Sequence, residues 1–153
     1  MSAAVAGPGR RYIEFVGVTK AFAGKPVLRG LDLAIDRGSA HYIIGTSGVG
    51  KSVTIKLLVG LLSADAGEIW FDGARVDGLA EAAFYPVRRR VGMVFQSATL
   101  FDGLSLRDNV ALPLRVHRRR RPAAAAREAP ALLEAVYLGD QGERFPAELS
   151  DGV

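Results

Sequence analysis

Gly45-Thr46-Ser47-Gly48-Val49-Gly50-Lys51-Ser52 is the stretch whose residue types and spacing suit chemistry. It reads G-x-x-x-x-G-K-[ST], the pattern of a phosphate-binding loop. Gly45, Gly48 and Gly50 let the backbone take conformations closed to other residues, so that successive N–H groups point at one anion. Lys51 adds a full positive charge for the outer phosphates. The Ser52 hydroxyl offers one oxygen to Mg²⁺, a hard cation that keeps several waters.

Such a loop must be held between a strand and a helix. Before it, residues 40–44 (Ala-His-Tyr-Ile-Ile) form an apolar run that predicts a buried parallel strand. After it, Ile55, Leu58 and Leu62 recur at helical spacing and predict a helix to about Leu62. The loop then opens a helix whose dipole and free N–H groups favour phosphate.

The rest of the chain supplies the frame. Residues 12–18 read as a strand, and 27–36 as a half-buried strand with Leu31, Leu33 and Ile35 on one face. Residues 20–26 form a turn carrying Phe22. Glu68 to Phe71 read as a strand closed by Asp72-Gly73. Residues 80–90 read as one short helix at most, and Val91 to Phe95 as a second buried strand ending at Gln96. Ser105 and Asp108 have capping spacing, so a helix should begin at Leu106, with Pro113 interrupting it. Ala129, Leu132, Leu133 and Val136 share a helical face, with Pro130 in the first turn and Gly139 as the stop. Residues 1–10 read as a flexible tail.

Composition narrows the class. The 153 residues are 49% hydrophobic and 24% charged, a globular balance with enough chain for one core. The lack of cysteine excludes disulfides and thiolate metal sites. Net charge is +4, and Arg118 to Arg121 form one block. That block suits a solvated face better than nucleic acid or anionic lipid, so no specific nucleic-acid partner is expected. No run approaches the ~20 apolar residues of a membrane helix. The N-terminus lacks the basic start of a signal peptide, so a cytoplasmic protein is expected.

Phe22, the phosphate loop, Gln96 and Leu149-Ser150-Asp151-Gly152 stand in an order that resembles the ATP-binding-cassette (ABC) ATPases over nearly the whole chain. Two stretches are most similar to the lipid-trafficking branch that works with mammalian-cell-entry (Mla-type) systems. They are residues 45–62 (Gly-Thr-Ser-Gly-Val-Gly-Lys-Ser-Val-Thr-Ile-Lys-Leu-Leu-Val-Gly-Leu-Leu) and 91–114 (Val-Gly-Met-Val-Phe-Gln-Ser-Ala-Thr-Leu-Phe-Asp-Gly-Leu-Ser-Leu-Arg-Asp-Asn-Val-Ala-Leu-Pro-Leu).

The resemblance implies an α/β P-loop NTPase of ABC type: an antiparallel β subdomain, a parallel-sheet core with helices, and a helical subdomain. It divides 11–153 into a nucleotide-binding part, 11–96, and a helical part, 97–153. It implies ATP and Mg²⁺ as cofactors. Phe22 would stack on adenine, and Gly45 to Val53 would cradle the phosphates. Ser52 would ligate Mg²⁺, and Gln96 would reach Mg²⁺ and the attacking water. Ser150 and Gly152 would act in trans on the nucleotide of an opposite subunit. The implied partners are a transmembrane permease subunit and either a second copy or a full-length ATPase subunit, at the cytoplasmic face of the inner membrane.

Two departures bear on activity. Asp151 stands where the family's signature has glycine, and its carboxylate would repel a triphosphate. The family's Mg²⁺-linked Asp, catalytic Glu and switch His have no counterpart in these residues, so the chain is expected to bind nucleotide without turning it over. A non-hydrolytic interaction module is the alternative, docking on the membrane partner through residues 97–114 or pairing with a full-length ATPase subunit. A small P-loop kinase or GTPase would need a lid or a base-specificity motif, and neither is found.

Overall fold

The structure, a computed structural model, describes residues 11–95, 100–117 and 121–149. The chain divides into two compact units, with the boundary between Gly92 and Met93.

The first unit is built on an antiparallel sheet of β1 (Arg11–Phe22), β2 (Lys25–Asp36), β3 (Ala66–Phe71) and β4 (Ala74–Arg75), in the order β2-β1-β3-β4. Both hairpins close through two residues of positive φ. Ala23 and Gly24 have φ of 47° and 76°, and Asp72 and Gly73 have 49° and 77°. That backbone twist matches the twist of the flanking strands. The β1–β2 register shifts between Phe15 and Val18, and there the Gly17 N–H donates to Asp32 Oδ1 at 2.7 Å. At the other end of the sheet, Arg37 and Arg90 both donate to Asp72, and the Arg37 guanidinium lies 4.3 Å from the Tyr12 ring centroid.

The phosphate loop leads into α1 (Lys51–Leu58). Its Leu57, 2% exposed, enters a core with Phe15, Val18, Leu28, Ile69 and Phe71. The helix ends earlier than its apolar spacing predicted. Gly60 takes φ 68°, and Leu61 N–H donates to Lys56 O at 2.9 Å, a left-handed stop that satisfies a terminal carbonyl. Residues 81–88 form a 3₁₀ turn (Glu81–Phe84) running into α2 (Tyr85–Arg88), with Phe84 and Val87 buried in the same core.

The two apolar runs expected as buried strands do not form strands. In residues 40–44, Tyr42 and Ile44 are 82% and 92% exposed; in 91–95, Val94 is 97% exposed. A strand exists only through its neighbours, and a parallel one needs both faces covered. Every strand pair among the described residues is antiparallel, so neither run has a ladder to join.

The second unit is a helical hairpin of α3 (Leu106–His117) and α4 (Pro122–Glu134). Helix α3 begins where its cap predicted, with Asp108 N–H donating to Ser105 Oγ at 3.2 Å. Its other free N–H groups are also used: Leu106 donates to Arg144 O and Arg107 to Gly142 O, both at 2.8 Å. Asn109, 8% exposed, accepts from Phe101 N–H at 2.8 Å and donates to the carbonyls of Phe101, Leu104 and Ser105.

Both prolines sit differently from expectation. Pro113 lies inside α3 without ending it, and Pro130 lies inside α4, which starts at Pro122. Proline fits a first helical turn, and the alanines after Pro122 carry the helix forward. The lost hydrogen bonds at Pro113 and Pro130 are outweighed by packing, since Ala111, Leu114, Ala125 and Ala129 bury one another. On the expected face of α4, Ala129 and Leu133 are buried while Leu132 and Val136 remain exposed. No helix among the described residues is long and apolar enough to cross a membrane.

Candidate functional site

The phosphate loop owes its shape to glycine at two positions. Gly48 and Gly50 have φ of 83° and 103°, in the left-handed region that penalises a side chain. Gly50 is buried and serves as N-cap of α1, and its carbonyl accepts from Thr54 N–H at 2.9 Å and from Thr54 Oγ1 at 3.1 Å. A side chain at Gly50 would also crowd the side chains of β2. A Cβ there would stand 2.7 Å from Leu28 Cδ2 and 3.2 Å from Val27 Cγ1, so β2 packs directly beneath the loop.

The charge is correspondingly placed. Lys51 Nζ folds back over the loop and donates to Gly45 O and Thr46 O, each at 2.7 Å. The first turn of α1 carries no acidic residue, which leaves its N-terminus favourable to anions. Thr46, Ser47, Gly48, Val49 and Ser52 are exposed, while Val53 is half-buried against the core. The arrangement fits a phosphate group: backbone N–H donors at a helix start, a lysine gathered at the loop and an accessible hydroxyl. For Mg²⁺ it offers the Ser52 oxygen, and no group of three acidic or histidine ligands occurs among the described residues. A metal here would depend on phosphate and water oxygens.

Phe22 ends β1 at the hairpin tip and is 42% exposed. The tip is braced. Lys20 Nζ stands 5.5 Å from the Phe22 ring centroid and bonds Asp65 Oδ1 at 2.7 Å, while Ala21 N–H donates to Asp65 Oδ2 at 2.6 Å. The Lys20 hydrogen bond, followed by that from Ala21, holds the Asp65 carboxyl below the ordinary carboxylate range. No local sequence pattern ties Asp65 to the aromatic or Leu28 to the loop. Gln96, Ser150 and Gly152 lie outside the described residues.

Solved structures share this architecture. The dimeric ATP-binding cassette MJ0796 bound to ADP and Pi superposes with a TM-score of 0.81 at 27% identity, covering 92% of this chain and 64% of that one. The cbiO1 subunit of Clostridium perfringens, at 24% identity, gives a TM-score of 0.79 over 94% of this chain and 57% of its own. The fold is therefore that of a P-loop NTPase of the ABC type. The "ABC transporter" family profile matches residues 28–153, and the chain belongs to that family.

Among curated relatives, "Methionine import ATP-binding protein MetN" of Rhizobium etli is 41% identical over 140 residues, covering 92% of this chain and 38% of MetN. The "Probable ribonucleotide transport ATP-binding protein mkl" of Mycobacterium leprae is 35% identical over 155 residues, covering 99% of this chain and 45% of its own. The chain thus spans less than half the length of these relatives. Neither name supports the lipid-trafficking branch that the motif-flanking residues resemble.

Proposed function

We propose that this chain binds ATP·Mg²⁺ as part of the ATP-binding subunit of an ABC transporter. The observation that carries the reading is the loop geometry: two left-handed glycines set the backbone at the start of α1, and Lys51 is gathered onto the loop's own carbonyls. On binding, Lys51 exchanges those carbonyls for phosphate oxygens. Ser52 supplies one oxygen to Mg²⁺, which neutralises charge on the phosphates. Adenine stacks on the part-exposed ring of Phe22, a contact worth about 1–3 kcal/mol by analogy with other base–aromatic stacks.

Gln96 reaches the metal and the attacking water, and Ser150 and Gly152 face the nucleotide of an opposite subunit; these roles rest on the resemblance. Residues 11–96 hold nucleotide, and in the helical part, 97–153, residues 97–114 meet the transmembrane permease subunit at the cytoplasmic face of the membrane. The chain pairs with a second ATPase subunit. The names of the curated relatives, one of methionine import and one of ribonucleotide transport, favour a small polar solute over a lipid as the cargo.

Equilibrium titration with a fluorescent ATP analogue and Mg²⁺ tests the reading. Saturable binding that ATP displaces, and that Lys51→Ala abolishes, is expected. Equal binding by the wild-type and Lys51→Ala chains would overturn it.

A further inference from the structure

Leu28 links the two ends of the candidate nucleotide site. It is 8% exposed, and its Cδ2 occupies the space a Gly50 side chain would need. On the other side, Leu28 is the register partner of Lys20 across the β1–β2 hairpin. Lys20 in turn stands over the Phe22 ring and is anchored by Asp65. A line of neighbouring residues therefore runs from the aromatic tip through Lys20 and its strand partner Leu28 to Gly50, the residue from which the loop turns into α1. Along β2, Leu28 lies three residues from Lys25, the register partner of Phe22, so the brace sits about 10 Å from the tip.

We propose that Leu28 is a positioning residue that fixes the spacing between the phosphate loop and Phe22, so that ATP is preferred over a bare triphosphate. The inference rests on the ATP-binding reading above. Close packing makes it physical. A side chain in van der Waals contact with a glycine backbone sets that backbone's height, and removing it lets the loop settle into the void. A triphosphate alone tolerates such a shift, because the loop, Lys51 and the helix start move together. ATP does not, because its base and phosphates must meet two separately anchored groups at once.

The test compares binding of ATP and inorganic tripolyphosphate, each with Mg²⁺, to the full 153-residue chain by calorimetry, alongside urea unfolding. For Leu28→Ala, ATP affinity should fall about tenfold while tripolyphosphate affinity stays within about twofold, so the preference collapses by about tenfold. Leu28→Met, which conserves volume, should restore it. Should Leu28→Ala not fold, Leu28→Val decides, with a loss of preference of about threefold expected. An unchanged preference overturns the proposal, whether both affinities hold or both fall together with the unfolding midpoint. A wild-type chain that binds ATP no better than tripolyphosphate overturns the base-stacking reading itself and with it the role of Leu28, an outcome recognisable before any variant is made.

Discussion

Replacing Gly50 by alanine puts a methyl group where the structure has none to spare. Two penalties act together. The residue sits at φ 103°, where a non-glycine residue is strained by about 1–2 kcal/mol. The new Cβ would lie 2.7 Å from Leu28 Cδ2 and 3.2 Å from Val27 Cγ1, well inside van der Waals contact, and overpacking of that kind costs about 1–3 kcal/mol. The combined loss is about 2–5 kcal/mol, a large share of the 5–15 kcal/mol typical of a whole domain. If the loop shifts to escape, stability recovers and the anion-binding geometry is lost in its place. Urea unfolding paired with ATP titration reads both routes. The double variant Gly50→Ala/Leu28→Ala should be less destabilised than the sum of its parts, because the second change removes the atom the first collides with. A Gly50→Ala chain with wild-type unfolding midpoint and wild-type ATP affinity would refute the argument.

Three further outcomes follow from the packing and charge. Leu57→Ala should cost about 2–5 kcal/mol by urea unfolding, because the side chain is 2% exposed and joins α1 to the sheet. Asn109→Ala should cost about 1–3 kcal/mol and loosen the 100–105 turn, seen as faster amide exchange at Phe101, since four hydrogen bonds converge on one buried amide. The Asp65, Asp72 and Glu81 carboxyls are all held below their ordinary values, by hydrogen bonds from Lys20, Arg90 and Arg88 respectively. A depressed carboxyl adds stability that is fully present above its unfolded value and is lost as pH falls through its folded one. The unfolding midpoint should therefore hold at neutral pH and drop below about pH 4, and the drop should be smaller in Asp65→Asn.

What the sequence disclosed was local chemistry. The loop, the Asp72-Gly73 turn and the Ser105 cap each depend on residues a few positions apart, so type and spacing suffice to place them. Interactions between distant segments were not legible. The Lys20–Asp65 pair spans 45 positions, and the Leu28–Gly50 contact joins a strand to a loop without any periodic signal. The turn read over residues 20–26 narrows to Ala23 and Gly24 for another reason: alanine seldom takes positive φ, so this tight turn lacks the usual Asn-Gly or Asp-Gly signature. The apolar runs at 40–44 and 91–95 show the limit of pattern reading, because hydrophobic residues reveal a wish for burial and a strand needs a partner to exist. Pro113 and Pro130 mislead in the opposite sense, since helix packing overrides their local preference.

The central claim is that residues 45–52 grip a phosphate chain through their backbone. Amide-resolved NMR of the labelled chain, titrated with ATP·Mg²⁺, tests it most directly. The account predicts saturable shifts centred on the N–H signals of Gly48, Gly50, Lys51 and Ser52, absent in Lys51→Ala. Saturable ATP binding that leaves those four signals in place would contradict it.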